Sequence, residues 1–203
     1  MKRIIKIMKY CMFEFLPKLK YKYLSDCKRV YGKINSIQPI LLSGKGKISI
    51  GRNVNIGVKR SPFFYDNYSY IEARTINSSI KIGSDVSINN NLSIISEKSI
   101  IIEDNCLIGT NCEILDSDFH DLDPNFRLKG KVKSSPIHIR KNVFIGNNVK
   151  ILKGVEIGEN SVIANSSIVT RSLPSNSVCG GAPAKFIKKL GKNKNENLIT
   201  GRV

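Results

Sequence analysis

From Ile139 to Pro174 the sequence repeats itself every six residues, as IRKNVF, IGNNVK, ILKGVE, IGENSV, IANSSI and VTRSLP. Each unit opens on an aliphatic residue, at positions 139, 145, 151, 157, 163 and 169. A fixed short period implies a solenoid, in which one small unit buries its apolar side chain only by stacking on its neighbours. The fifth places, Val143, Val149, Val155, Ser161, Ser167 and Leu173, are mostly small or β-branched and suit a narrow interior. Gly146 and Gly158 stand at second places, where a tight corner between very short strands needs a permissive backbone. A period of six matches neither the helical turn of about 3.6 residues nor the heptad spacing of about 3.5, so an α-helix is excluded for this stretch.

Upstream, related units begin near Ile50, break around Pro62 and resume at Tyr70, Ile76, Ile82, Ile88 and Ile94. The break, SPFFYDNY, holds Phe63, Phe64, Tyr65 and Tyr68. Such rings either stack on a sugar or pack against the N-terminal segment or another subunit, and packing is the expected role. The register then slips to Ile102, Ile108 and Ile114 and stops from Asp118 to about Pro136, the longest interruption of the repeat region. Long loops on a compact solenoid tend to carry function, and this one opens Asp118-Phe119-His120-Asp121.

Residues 1–47 read as a basic N-terminal segment and cap. Ile4, Met8, Cys11, Met12, Phe15 and Leu19 follow helical spacing, with Lys2, Lys6, Lys9 and Lys18 largely on other sides, and Pro17 is expected to break or bend the helix. Two readings stand for this helix: a basic amphipathic surface lying on a membrane, or a cover for the open end of the solenoid. It is too short and too charged to span a bilayer. No cleavable leader is expected, because Lys6, Lys9 and Glu14 interrupt the apolar stretch.

Of the 203 residues, 33 are Lys or Arg and 16 are Asp or Glu, a formal charge of +17 that favours acidic partners. The five cysteines are odd in number and show no C-x-x-C pair; Cys106 and Cys112 fall on fifth places as buried core residues, in keeping with a reducing cytoplasm. Among the two histidines, His138 in Ile137-His138-Ile139 is turned opposite to its inward neighbours and reads as exposed and incidental. His120, at the mouth of the long loop, is the candidate general base, since imidazole exchanges protons near neutrality. Asp118, Asp121 and Asp123 are candidates for orienting its ring.

The repeats, with the closing run Ser177-Val178-Cys179-Gly180-Gly181-Ala182-Pro183-Ala184-Lys185, resemble the left-handed parallel β-helix acyltransferases built on hexapeptide repeats. The resemblance covers roughly Ile48 to Lys188. It implies an all-β solenoid with three hexapeptides per triangular coil over residues 48–185, an active-site loop at 118–136, and a homotrimer binding acetyl-CoA between subunits. Beyond residue 186, Phe186-Ile187-Lys188-Lys189-Leu190 reads as a short C-terminal helix, followed by a mobile polar tail to 203.

The galactoside and maltose acetyltransferases give the most similar local pattern. That resemblance implies His120 as the base, with Asn89, Glu97 and Asp118 at the acceptor. It implies Asn147 as backbone donor to the thioester oxygen and Asn165 beside the pantetheine arm. Thr170, Arg171, Lys185 and Lys188 fall at the nucleotide end, and Gly181 shapes the loop that approaches the cofactor. Phe144 stands where tryptophan is frequent, Ala164-Asn165-Ser166 replaces a Gly-Ala-Gly run, and the N-terminal region of the maltose group is absent.

The expected function is therefore acetyl-CoA-dependent O-acetylation of a sugar hydroxyl on a surface polysaccharide or its precursor. The setting is cytoplasmic, and the membrane reading of the N-terminal segment, beside the cap reading, would add peripheral contact at the inner face of the cytoplasmic membrane. The alternatives are N-acetylation of a nucleotide-linked amino sugar and acetylation of a streptogramin-type antibiotic. A zinc carbonic anhydrase on the same fold needs three histidine ligands, which two histidines cannot supply, so no metal is expected. Specific nucleic-acid binding is not expected either, because charge alone gives only non-specific attraction.

Overall fold

The computed structural model describes residues 2–191; the tail from 192 onward lies outside them. Short strands wind into a left-handed parallel β-helix of triangular section with three sheets as its faces. The first sheet holds Val30–Tyr31, Lys47–Ile50, Ser79–Ile82, Ser99–Ile102, Ile137–Ile139 and Glu156–Ile157. The second holds Ile34–Ser36, Val54–Ile56, Ser87–Ile88, Leu107–Ile108, Phe144–Ile145, Val162–Ile163 and Ser177–Gly181, with Ala184–Lys189 added antiparallel at its end. The third holds Ile40–Ser43, Ser69–Ala73, Ser93–Ser96, Glu113–Leu115, Lys150–Leu152 and Ile168–Val169.

The six-residue period places one aliphatic residue of each unit directly above its equivalent in the next coil. On the second sheet the register runs Ile56, Ile88, Ile108, Ile145, Ile163 and Cys179. On the third it runs Ile71, Ile94, Ile114, Ile151 and Val169. These columns, together with the fifth-place residues Val143, Val149, Val155, Ser161, Ser167 and Leu173, are buried. Each buried isoleucine contributes about 1.5–3 kcal/mol of transfer free energy, so the stack is the main source of stability. Cys106 and Cys112 are buried in it, and desolvation pushes both thiols up to about 11, which keeps them protonated and unreactive at neutral pH.

Asparagine turns many of the corners. Asn91, Asn111 and Asn148 adopt φ of 61°, 55° and 58°, and their side-chain amides link coil to coil at 2.8 Å. Asparagine tolerates this left-handed region better than other non-glycine residues, which explains the recurrence of Asn at the corner places of the repeat.

Four expectations change. The coil stack starts at Val30, not at residue 48: the first coil shortens the step from Val30 to Ile34 to four residues, yet Val30 pairs with Ile48, Ile34 with Val54 and Ile40 with Ser69. Ile76 is exposed at a corner, and Ile71, not Tyr70, faces inward, because the unit after the aromatic break is lengthened. The run 186–190 is not a helix. Ala184–Lys189 folds back on Ser177–Gly181, since the last parallel strand of the second sheet would otherwise leave its backbone donors and acceptors unpaired. Finally, of the break or bend expected at Pro17, the break does not occur. Helix α1 (Lys2–Tyr10) continues through a π-helical turn (Cys11–Phe15) into α2 (Leu16–Leu24), and the wider turn absorbs the missing proline donor.

The aromatic break packs under α2, as the packing alternative expects. Tyr21 stacks on Tyr68 at 4.2 Å, Phe13 meets Tyr65 edge-on, and Glu14 pairs with Lys59 at 2.7 Å. Two buried amides hold the break from below: Gln38 donates to the carbonyls of Phe63 and Asn67, and Asn90 to those of Val58 and Pro62. The segment after α2 covers part of the third sheet's free edge. The Leu42 amide donates to Ser25 Oγ, the Leu42 carbonyl accepts from Cys27 N–H, and the Gly44 amide donates to Asp26 Oδ1. Helix α1 itself buries no residue.

Candidate active site

The long loop leaves the third sheet after Leu115 and re-enters the first at Ile137. Its neck is closed by an antiparallel bridge between Ser117 and Ser134 and by backbone bonds from Asp118 to Lys133 and from Ser135 to Asp116. Below the neck lies Asp116, fully buried. Its Oδ1 accepts from the Glu97 amide at 2.7 Å, and its Oδ2 accepts from Ser96 Oγ and the amides of Lys98 and Ser99 at 2.7, 3.0 and 2.8 Å. One carboxylate thus ties the loop's root to the turn that carries Glu97. Sequence reading missed Asp116, although strand alternation from Ile114 turns it inward, and an inward acid in an aliphatic column needs such partners.

His120 stands exposed, with Nδ1 at 3.3 Å from the Arg127 carbonyl. A carbonyl only accepts, so the proton of that bond belongs to Nδ1 and the neutral ring presents the lone pair of Nε2 outward. The orienting group is this carbonyl and not a loop carboxylate. Asp118 is held by Lys153 Nζ at 2.7 and 2.8 Å, Asp121 Oδ1 accepts from the Asp123 amide, and Asp123 Oδ1 accepts from the Asn125 amide. Asp118 therefore anchors the loop through Lys153. Gly130 packs so closely on Asp121 that a Cβ there would fall 2.1 Å from Asp121 Oδ2, which explains a glycine in the returning limb.

Glu97 lies at the same edge, 3.7 Å from Arg74 Nη1, and Arg74 is gripped bidentately by Glu72 at 2.9 and 3.0 Å. Thr170 and Arg171 occupy the same third-to-first edge two coils beyond the His120 loop, both exposed.

The remaining candidates occupy a different edge. Asn89, Asn147 and Asn165 all fall at turns from the second sheet to the third. Asn89 and Asn147 line one shallow cavity of about 470 Å³ on the second face, floored by Leu107 and Phe144. Those two side chains are register partners on neighbouring strands and are about half exposed. The Asn147 amide does not point to an open site: it donates to Asn165 Oδ1 at 2.8 Å, just as the Thr110 amide donates to Asn147 Oδ1. The expected thioester donor is thus engaged within the side-chain ladder. Gly181, Lys185 and Lys188 lie exposed in the terminal hairpin of the same sheet. Gly181 adopts φ +103, a backbone state glycine accepts readily, and an added Cβ would meet only Pro183 O at 3.5 Å.

His120, Glu97, Thr170 and Arg171 therefore share one edge of the prism, and Asn89, Asn147, Asn165, Gly181 and Lys185 share another, with Lys188 further back along the second face. A third-sheet strand of three or four residues, roughly 10 Å long, separates the edges within one chain.

His138 is half-buried, not incidental at the surface: its Nε2 lies 2.7 Å from Glu103 Oε1, and Arg140 bridges Glu103 and Glu156. Burial pushes the Glu103 carboxyl up, but the hydrogen bonds and charges of His138 and Arg140 outweigh it and hold the group below the usual carboxylate range. This is a surface ion-pair ladder on the first sheet, and its solvent exposure keeps its contribution to stability small.

Residues 136–171 match the family model for the bacterial transferase hexapeptide of six repeats, and residues 99–115 match the hexapeptide repeat of succinyl-transferase. The galactoside O-acetyltransferase of Escherichia coli is 44% identical over 71 residues, which is 35% of this chain and 35% of that protein. The match spans about a third of the length of the curated relatives. A polySia-specific acetyltransferase superposes with a TM-score of 0.57 at 26% identity, over 84% of this chain and 88% of that one. A hexapeptide-repeat acetyltransferase from Vibrio cholerae, solved with acetyl-CoA, superposes with a TM-score of 0.55 at 30% identity over 70% of both chains. On its repeats, its coil and this shared length, the chain belongs to the hexapeptide-repeat acetyltransferase family.

Proposed function

We propose that the protein is an acetyl-CoA-dependent O-acetyltransferase that esterifies a sugar hydroxyl of an acidic surface polysaccharide or its precursor. The observation that carries this reading is His120, exposed at the loop mouth with Nδ1 tied to a carbonyl and Nε2 left as the basic nitrogen. His120 Nε2 takes the proton of the acceptor hydroxyl as its oxygen attacks the thioester carbonyl. The oxyanion so formed collapses, the C–S bond breaks, and the imidazolium returns its proton to the departing thiolate. Lys185, Lys188 and Arg171 are exposed cations suited to the phosphates of the donor. The formal charge of +17 favours an acidic acceptor, and the fold is shared with a protein described as polySia-specific.

Because the two sets of site residues lie on different edges, one chain does not assemble the site. A homotrimer whose subunits set the His120 edge of one against the asparagine edge of the next closes three sites, through a head-to-tail interface that completes a ring. Asn89 and Glu97 then face the acceptor, Asn147 and Asn165 the pantetheine arm, and Thr170 and Gly181 the cofactor's far end.

We also read the chain as working at the inner face of the cytoplasmic membrane. No helix among the described residues is long and apolar enough to cross a bilayer. Helix α1 leaves Ile4, Ile5, Ile7 and Met8 exposed beside Lys2, Arg3, Lys6 and Lys9, a composition that suits the surface of an anionic bilayer. Co-sedimentation with vesicles should be strong for phosphatidylglycerol and weak for phosphatidylcholine, and should be lost when residues 2–10 are deleted. Equal recovery with both lipids would refute the contact.

The function is tested with labelled acetyl-CoA and a panel of neutral and acidic polysaccharides, nucleotide-linked amino sugars and a streptogramin. A base-labile acetyl ester on an acidic polysaccharide is the expected product. An amide on an amino sugar, or acetylation of the antibiotic alone, would replace this acceptor assignment.

A further inference from the structure

Most non-glycine residues with positive φ in this molecule are asparagines at coil corners, but the residue immediately before His120 is Phe119, with φ of +59°. An aromatic side chain in the left-handed region is disfavoured by contact between its Cβ and the backbone, and it persists only where its surroundings hold it there. Two contacts do so. The Phe119 amide donates to Ser117 Oγ at 3.1 Å, and the guanidinium of Arg74 lies over the Phe119 ring, 4.5 Å from its centroid.

The guanidinium is itself fixed. Glu72, on the strand Ser69–Ala73, accepts from Arg74 Nε at 3.0 Å and Nη2 at 2.9 Å, in the fork geometry that leaves one orientation of the plane. Glu97 closes the other side at 3.7 Å from Nη1, on the turn that Asp116 pins. A continuous set of contacts therefore runs from a strand of the solenoid to the backbone torsion that sets the direction of the next residue.

We propose that Arg74 is a positioning residue for His120, acting through the ring of Phe119. The inference rests on the reading of His120 as the base, and gives that residue's orientation a cause outside its own loop. If the stack is removed, Phe119 is free to return to negative φ, and a change of that size in one torsion swings His120 away from the carbonyl of Arg127.

The test uses the full-length protein and the variants Arg74→Ala, Arg74→Lys, Phe119→Gly and the Arg74→Ala/Phe119→Gly pair. Arg74→Ala is expected to lower kcat by about 10- to 100-fold with KM for acetyl-CoA changed less than about twofold, as displacement of a catalytic group without loss of binding requires. Arg74→Lys should not restore the rate, because an ammonium cannot reproduce the bidentate plane over the ring. Phe119→Gly keeps access to positive φ without the ring, so adding Arg74→Ala to it should cost little more. Fully additive losses would overturn the relay. The second readout is the imidazole ¹⁵N spectrum, easily assigned in a chain with two histidines. Arg74→Ala should broaden or shift the His120 Nδ1–H signal and leave that of His138 in place. An unchanged His120 signal overturns the proposal whatever the activity. A shifted signal in a protein whose His120→Ala variant still transfers acetyl at full rate would uphold the positioning and reject the base.

Discussion

Replacing His120 with alanine is expected to lower kcat for acetyl transfer by about 10²- to 10⁴-fold, the usual contribution of a positioned general base. Binding of acetyl-CoA should change little. The side chain is exposed and supports no packing, so the variant should fold as the parent does. No nearby group can stand in. Asp118 is engaged by Lys153, Asp121 and Asp123 cap backbone amides, and the second histidine sits on the first sheet with its Nε2 against Glu103. Calorimetric titration of the variant with acetyl-CoA separates the two effects. Retained affinity with lost transfer is the expected pair, and full transfer by the alanine variant would dismiss His120 as the base. The same calorimetry on Lys185→Ala serves as a contrast, since a cation at the terminal hairpin belongs to donor binding and not to proton transfer.

How far the sequence disclosed this site follows from where the information lies. The six-residue spacing is local, and it named the interior columns from Ile139 onward correctly because each unit meets the same interior. The first coil escaped that reading. Val30, Ile34 and Ile40 stack on one side only, so their spacing is less constrained than that of a coil packed above and below. The terminal hairpin departs from the expected helix for a related reason: Phe186, Ile187 and Leu190 fall at helical spacing, but the open strand edge beside them decides the matter. The position of His120 at the loop mouth was legible in the sequence. Its environment was not, because the contacts that define it join residues far apart in sequence, such as Arg74 with Phe119 and Asp118 with Lys153. The division of the candidate residues between two edges is likewise invisible until the coil is wound, and it argues most directly for a site completed by a second subunit.

Asp116→Ala is expected to cost on the order of 3 kcal/mol of stability, the larger structural effect available at this site. The carboxylate is fully buried and accepts four hydrogen bonds, from Ser96 Oγ and the amides of Glu97, Lys98 and Ser99. Bonds to a charged acceptor are each worth more than a neutral pair, but their losses do not add, because the Lys98 amide lies at an exposed turn and can be rehydrated. Ser96 is buried, but its hydroxyl keeps the Ser79 carbonyl at 3.3 Å as a second acceptor. Asp116→Asn should recover only part of the loss. An amide has one accepting atom where this site needs two, and its NH₂ would face a backbone N–H. Urea unfolding gives the measurement, with the midpoint falling in the order parent, Asn, Ala at an unchanged slope. Activity should fall further than the folded fraction accounts for, since the same carboxylate fixes both the Glu97 turn that braces Arg74 and the root of the loop that carries His120. A midpoint within error of the parent would show that the turn and the loop root are held by other contacts, and the account of how the base is placed would have to begin elsewhere.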